Sequence, residues 1–240
     1  MTAAHFEAVA DLYAAARPSY PAAVFDALDL APGLRVLEIG PGSGQASRTL
    51  AARGVALTCY EIGPRLAALT KAAVPDAQVV HAPASTATGT FDLFCGFTSL
   101  HWLGGDLWPL AHRLLAPGGR LAVVGTVHVS DEAGDVVMHA LQPVYRRYFG
   151  GGAVTRPRLA DLSPVVADER LFTRTRFVAI PQQIDYDGAG YAQLVATYSP
   201  SGTLAEPERA AFLAELATIV DSQGGLRMVT ASVVSIFTAR

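Results

Sequence analysis

Lysine, cysteine and charge are all scarce in this chain. Lys71 is the only lysine beside 17 arginines, and charged residues make up 16% of the 240 positions, well below the roughly 25% of an average soluble domain. So apolar a composition excludes a disordered chain. The net charge of −3 gives no electrostatic reason to bind nucleic acid or an anionic membrane. Two cysteines, Cys59 and Cys95, cannot build a disulfide framework. Each lies in an apolar run, which reads as two reduced, buried thiols of a cytoplasmic protein. No apolar stretch reaches the ~18 residues of a membrane span. The start, Met1-Thr2-Ala3-Ala4-His5, lacks the basic and apolar regions of a secretory signal. His-Glu-x-x-His and Cys-x-x-Cys are absent, and His5, His81, His112, His128 and His139 show no paired ligand spacing, so no metal site is expected. Ser43 lacks the glycine two positions earlier that a nucleophile elbow requires, which leaves acyl transfer unsupported.

What is abundant is apolar. At 51% hydrophobic residues, the chain is enough for one domain of roughly 200 to 250 residues, or two small ones, with one as the first expectation. The surplus of arginine, alanine, glycine and proline is the bias of a GC-rich bacterial genome. Residues 1–30 have a helical pattern broken at Pro18 and Pro21 and read as an N-terminal cover. Strand-like runs follow at Leu34–Ile39, Val55–Tyr60, Ala77–Val80, Phe91–Phe97 and Arg120–Val127, with helical patterns at Gln45–Arg53, from Pro64 to Ala73, and at His101–Leu115. Such alternation predicts an α/β fold with a doubly wound, mainly parallel sheet. Ala116-Pro117-Gly118-Gly119 reads as a turn before the fifth strand. Past Val127 the alternation stops. A helix over Asp135–Tyr148, a flexible join at Gly150-Gly151-Gly152 and a more polar stretch through Arg170 read as a cap inserted over residues 128–170. Phe172–Ile180 and Arg227–Thr238 bring the strands to seven, the last two expected as an antiparallel edge pair, with helices at Gly188–Tyr198 and Glu206–Asp221 between them.

Chemistry concentrates in Val36-Leu37-Glu38-Ile39-Gly40-Pro41-Gly42-Ser43-Gly44-Gln45, a strand entering a glycine-rich turn and then a helix. Glycine permits the sharp turn and lets a ligand lie on bare backbone. Glu61 closes the next strand 21 positions after Gly40, the spacing at which an acidic residue reaches the ribose hydroxyls of an adenosine cofactor. A nicotinamide or flavin enzyme would carry a third glycine at position 45, where this chain has Gln45. Glu38 weighs the same way, because a carboxylate on a buried strand favours a cationic ligand over a pyrophosphate. An ordinary tight turn is the bland alternative.

At these residues the sequence resembles the class I S-adenosylmethionine-dependent methyltransferases. Their motif is an acidic residue, one apolar residue and Gly-x-Gly-x-Gly, matched by Glu38, Gly40, Gly42 and Gly44. Phe91-Asp92-Leu93-Phe94 is similar to the family's fourth-strand motif and Leu115 to Leu121 to the turn before its fifth strand, so the resemblance covers about Leu34 to Val127. It implies a Rossmann-like sheet and S-adenosylmethionine as cofactor. The methionine portion would lie near Glu38, Gly40, Pro41, Gly42, Gly44 and Gln45, the ribose on Glu61 beside Ile62, and the adenine along Ala82, Pro83 and Ala84. The family commonly places a carboxylate just after the third strand for the adenine amino group; here that position is Ala82, which leaves backbone groups or Ser85 to replace it.

The fourth strand runs on into Phe97-Thr98-Ser99-Leu100-His101-Trp102, at the edge where open α/β sheets hold reacting ligands. This stretch, together with Tyr13, Arg17 and Tyr20 near the N-terminus and Tyr198 in Ala196-Thr197-Tyr198-Ser199-Pro200, resembles the small-molecule branch of the family, which includes the trans-aconitate methyltransferase-like enzymes. The resemblance implies Phe97 and Thr98 at the cofactor, with Tyr13 and Tyr20 closing over it and Arg17 holding a carboxylate of cofactor or substrate. Packing on the sheet explains Tyr13 equally. His101 is the candidate general base, since an imidazole titrates near pH 6.5; capping a helix or lining a pocket wall explains it as well. Trp102, His128, Tyr145 and Tyr198 are the candidate acceptor contacts, and core or pocket-wall packing is the alternative for Trp102. Arg146, Arg147, Arg156 and Arg158 either line an anionic acceptor pocket or are solvated surface.

The expectation is one domain over residues 1–240 that moves a methyl group to oxygen, nitrogen or carbon of a small organic acceptor. It binds no nucleic acid and no membrane, and acts in the cytoplasm as a monomer or homodimer. Three rivals remain: an enzyme of the same fold that uses the cofactor for a rearrangement or cyclisation, a cofactor-binding protein without chemistry, and third a nicotinamide oxidoreductase, disfavoured by Glu38 and Gln45.

Overall fold

The computed structural model describes residues 3–151 and 156–240; Gly152 of the expected join lies outside them. Helices α1 (Ala3–Ala8) and α2 (Ala10–Ala16) end before Pro18, and α3 (Ala22–Asp26) begins directly after Pro21, as two residues with fixed φ and no amide hydrogen require. Strand β1 (Arg35–Ile39) leads into α4 (Gln45–Ala52), β2 (Ala56–Glu61) into α5 (Pro64–Ala73), and β3 (Gln78–His81) is followed by β4 (Phe91–Phe97). Pro64 sits at the first position of α5, where its missing amide costs nothing. Lys71 closes the far end of that helix by donating to the carbonyls of Pro75 and Ala77 at 2.8 and 2.9 Å.

Next come α6 (Leu107–Leu114), β5 (Leu115–His128), α7 (Glu132–Phe149), β6 (Phe172–Tyr186), α8 (Gly188–Ala196), α9 (Glu206–Ser222) and β7 (Leu226–Ala239). The helix expected over His101–Leu115 is cut in two: a 3-10 segment spans Leu100–Asp106 and breaks at Gly104, whose φ of 54° and ψ of −133° no helix contains. Adjacent glycines at 104 and 105 remove the steric preference that would have kept the helix whole. The expected turn at Ala116–Gly119 is a bulge within β5. Phe91 pairs with Leu115 and Leu93 already with Arg120, so three extra residues bow out of the ladder. Strand β6 runs on past Ile180 to Tyr186.

The seven strands form one sheet in the order β3-β2-β1-β4-β5-β7-β6. The five from β3 to β5 are parallel neighbours. Strand β7 runs against them: the amide of Val129, just past the end of β5, donates to Val229 near the start of β7, and Arg240, just past the end of β7, donates to Leu171 just before β6 begins. The antiparallel edge pair expected from the sequence is thereby present.

Two compact units divide the chain. One comprises Ser19–Thr126, Ser163–Ile180 and Ser232–Arg240. In it the parallel strands are buried on both faces, as βαβ connections dictate. Val36, Cys59, Leu93, Cys95 and Val124 face Val24, Phe25 and Leu50 of the helices on one side. Leu37, Tyr60, Phe94 and Leu121 face the other side, with Leu107, Leu110, Ala111 and Leu114, an i, i+3, i+4, i+7 stripe of α6. The second unit comprises Met1–Pro18, Val127–Leu162 and Pro181–Ala231 and has its own core of Leu141, Val144, Leu194, Phe212, Leu216 and Met228. Of the stretch 128–170 expected as a cap, residues 128–162 fall in this unit and 163–170 in the sheet unit, because Val165 donates its amide to Ser235. Of the N-terminal cover, residues 1–18 and 19–30 divide likewise. Among the described residues no helix is long and apolar enough to cross a membrane, and no group of three or more His, Cys, Asp or Glu side chains is placed to hold a metal.

Phe212 is fully buried, and the rings of Tyr145, Tyr148 and Phe149 surround it with centroids at 5.5, 5.1 and 5.1 Å. Phe212→Ala is expected to destabilise its unit by about 3–5 kcal/mol, read as a drop in the denaturation midpoint; a loss below about 1 kcal/mol would contradict this packing.

Candidate functional site

The glycine turn between β1 and α4 takes a path that only glycine follows comfortably. Gly40, Gly42 and Gly44 have φ of 64°, 64° and 83°, in the left-handed region. Two of them are also sterically fixed: a Cβ on Gly40 would lie 2.8 Å from Cβ of Ser99, and one on Gly44 2.9 Å from Cβ of Ala73. The turn is held by its neighbours. The Thr70 hydroxyl donates to Gly42 O at 2.8 Å, the Ser99 hydroxyl to Ile39 O at 2.5 Å, and the Gly40 amide to Tyr60 O at 2.9 Å.

Glu61 completes this set. One carboxylate oxygen accepts the Gly42 amide at 3.0 Å and the other the Gly63 amide at 2.9 Å, so one side chain ties the loop after β1 to the loop after β2. Ile62, beside it, is an exposed large apolar side chain, and Ala82 donates its amide to Glu61 O. His81 bonds the carbonyl of Ile62. Ile62, Ala82, Pro83 and Ala84 thus share the carboxyl ends of β2 and β3, with no carboxylate among them.

Glu38 behaves differently. It is 1% exposed and its register partners on both sides are the two cysteines, Cys59 on β2 and Cys95 on β4. Oε2 accepts the Ser47 hydroxyl at 2.6 Å and the Cys59 thiol at 3.6 Å. Burial pushes its pKa up to about 7, against the pull of those two donors. Burial likewise raises both thiols.

At the end of β4, Thr98 adopts a positive φ of 57°, a strained setting for a β-branched residue. Its hydroxyl meets the Tyr20 hydroxyl at 3.1 Å and Thr126 Oγ1 at 3.3 Å. Phe97 packs on Tyr20 and Phe25. His101 stacks on Trp102 with ring centroids 4.8 Å apart, Trp102 being largely exposed. Partial desolvation lowers the His101 pKa.

The remaining sequence-derived candidates gather in the second unit. The Arg17 guanidinium lies over the rings of Tyr13 and Tyr198, at 4.9 and 4.6 Å, and donates to Thr197 Oγ1 and O. His128 Nε2 is 3.2 Å from the Tyr198 hydroxyl. The Tyr145 hydroxyl meets that of Tyr191 at 2.9 Å. A cavity of about 220 Å³ is lined there by Gln142, Tyr145, Phe149, Val195, Tyr198 and Phe212, among others. Arg146 also lines it, whereas Arg147 pairs with Glu215 at the surface and Arg158 with Asp161. Sequence reasoning missed the supports of the glycine loop, Ser47, Thr70 and Ser99, whose only signal is a small hydroxyl at a position that packing buries or half-buries. It also did not separate Arg156 from Arg146, Arg147 and Arg158, all read as either pocket lining or solvated surface, although Arg156 is largely buried and pairs with Asp135.

With this geometry in view, comparison with known proteins gives a consistent result. Residues 37–123 match the family model described as a methyltransferase domain. Uncharacterized methyltransferases of Mycobacterium bovis and Mycobacterium tuberculosis are 29% identical over 123 residues, 50% of this chain and 51% of theirs. The chain thus spans about half the length of the curated relatives it matches. Among solved structures, a methyltransferase of Geobacter sulfurreducens in complex with S-adenosylhomocysteine superposes with a TM-score of 0.56 at 19% identity, covering 95% of this chain and 96% of that one. A second, from Thiobacillus denitrificans and also in complex with S-adenosylhomocysteine, gives 0.53 at 17%, with the same coverage. The fold is the Rossmann-like methyltransferase fold, and residues 37–123 of the chain are similar to the methyltransferase domain family.

A carboxyl that keeps its proton to about pH 7 when folded, but to about 4.5 when unfolded, stabilises the fold below 4.5 and loses that contribution as pH rises through 7. Glu38→Gln keeps an acceptor for Ser47 and cannot ionise. Its stability relative to the native protein is expected to rise between pH 4.5 and 7, by on the order of 3 kcal/mol. Denaturation series at several pH values check this, and a difference independent of pH would contradict the assigned shift.

Proposed function

We propose that the protein transfers a methyl group from S-adenosylmethionine to oxygen, nitrogen or carbon of a small organic acceptor, leaving S-adenosylhomocysteine. The observation that carries this reading is the pair of carboxylates at the glycine loop, Glu38 buried on the strand that feeds it and Glu61 bonded to its Gly42 amide. A dinucleotide would bring a pyrophosphate, a further negative charge, against the Glu61 carboxyl and the buried Glu38; a ligand with a sulfonium and an ammonium would be attracted to carboxyl groups placed there. The chain's residues fit such a ligand. Ser43 Oγ is buried in the loop with no partner among the described residues.

Glu61 would take the ribose hydroxyls, Gly40, Pro41, Gly42, Gly44 and Gln45 the methionine portion, and Ile62 with Ala82, Pro83 and Ala84 the adenine. Tyr20, Phe97 and Thr98 border the same sheet edge, and Tyr13 and Arg17 complete the proposed set. When bound, S-adenosylmethionine supplies a methyl group already activated on sulfur. The protein then needs no covalent step of its own: its residues hold, orient and exclude water. His101, with its lowered pKa, is neutral at pH 7 and takes the proton when the acceptor is an alcohol, phenol or protonated amine. Trp102, His128, Tyr145 and Tyr198 are the proposed acceptor contacts; of these, Tyr145 and Tyr198 line the cavity of about 220 Å³ in the second unit.

Calorimetric titration tests the reading. S-adenosylhomocysteine is expected to bind with micromolar affinity, about 8 kcal/mol, NADH not at all, and Glu61→Ala to weaken binding at least tenfold while its circular dichroism stays native. Binding of NADH with no response to S-adenosylhomocysteine would overturn it.

A further inference from the structure

The cavity of the second unit is walled by α7, α8 and α9 and by a 3-10 turn over Ser199–Thr203. Tyr145, Phe149 and Phe212 bring three rings together there, with centroids 5.1 to 6.4 Å apart, and Tyr198 adds a fourth. The polar side chains of the lining are engaged within the protein. The Tyr145 hydroxyl pairs with that of Tyr191 at 2.9 Å and the Tyr198 hydroxyl with His128 Nε2 at 3.2 Å. Ser201 donates to Val195 O at 2.6 Å and Gln142 to Met138 O at 3.3 Å. None of these groups is charged at pH 7: burial raises the pKa of both tyrosines and lowers that of His128. Arg146 supplies the one formal charge of the lining, and it is exposed, so water screens it.

Size and lining together select an occupant. A volume of about 220 Å³ exceeds the roughly 150 Å³ of an apolar cavity that takes benzene, so two fused rings have room. Water in such a space finds few partners, and its replacement by an apolar molecule is favourable. Aromatic walls add offset and edge-to-face contacts with an aromatic guest. A carboxylate carried in with the ring would lose its hydration where the lining holds no buried cation to receive it.

We propose that this cavity binds a neutral aromatic molecule of one or two rings, and that the acceptor is such a molecule, a phenol or an aromatic amine and not an organic acid. As an assignment of the acceptor, this rests on the methyl-transfer reading; as a binding site for a neutral ring it does not.

Calorimetric titration of the full chain with 2-naphthol, and separately with 2-naphthoate, tests the site, because the two share a ring system and differ in charge at pH 7. The naphthol is expected to bind about tenfold more tightly or better. Gln142→Trp, which fills the cavity, and Phe149→Ala, which removes one wall, are each expected to weaken the naphthol about tenfold, with S-adenosylhomocysteine binding unchanged. Both side chains are half-buried; should Phe149→Ala fail to fold, Gln142→Trp and the comparison of the two probes on the native protein carry the test. No binding of the naphthol, equal or tighter binding of the naphthoate, or unchanged naphthol affinity in the variants overturns the proposal. With methyl-labelled S-adenosylmethionine the naphthol is expected to take up label; binding without labelling keeps the ring site and overturns the acceptor assignment. Naphthol binding without S-adenosylhomocysteine binding would leave the ring site standing and overturn the methyl-transfer reading instead.

Discussion

The carboxylate of Glu61 reaches backbone amides on two different loops, Gly42 after β1 and Gly63 after β2, and the shape of the sheet's carboxyl edge depends on it. Parallel strands deliver their loops to the same edge, but a loop in which three of five residues are left-handed glycines has few side chains with which to hold a conformation. Its order is borrowed from Glu61, Thr70 and Ser99, which reach it from three other elements. Hydrogen bonds to an ionised group are worth roughly twice neutral ones, so Glu61 is the strongest of the three anchors. A ligand placed on that carboxylate would therefore touch the same group that gives the loop its form.

The two acidic residues of the loop motif are one type of side chain put to opposite uses by their surroundings. At the strand end, Glu61 accepts the amides of Gly42 and Gly63. Within the strand, Glu38 lies between two thiols, where desolvation outweighs the Ser47 hydroxyl and brings its pKa to about 7. Small, polarizable neighbours tolerate either protonation state better than bulky aliphatic ones would. Glu38 therefore ties α4 to β1 through Ser47 and holds its charge in reserve.

Most of the sheet unit was legible in sequence because its signals are local. Apolar runs bounded by glycine or proline give the strands, and each run expected as a strand is one. Local signals also mislead: Pro117-Gly118-Gly119 looks like a turn and is a bulge, since only the partner strand decides whether the ladder resumes, and Gly104 breaks a helix whose apolar stripe continues beyond it. The glycine loop and Glu61 were legible as a motif, whereas Ser47, Thr70 and Ser99 were not, because a hydroxyl declares its partner only when the chain has folded. Arg156 shows the same limit. Among neighbouring arginines nothing in the sequence separates the largely buried Arg156, paired with Asp135, from Arg147 and Arg158, which lie in surface ion pairs.

The placement of both cysteines beside Glu38 has a consequence for the kinetics of the folded state. Each thiol is buried and disfavoured from ionising, and only the thiolate reacts with alkylating or disulfide reagents. Cys59 and Cys95 lie on β2 and β4, either side of the strand that feeds the glycine loop. Modification of either under native conditions therefore requires the centre of the sheet to open. The rate at which the two are labelled is a clock for that opening, built into the chain without any added probe, and it reads the strands on which the glycine loop stands.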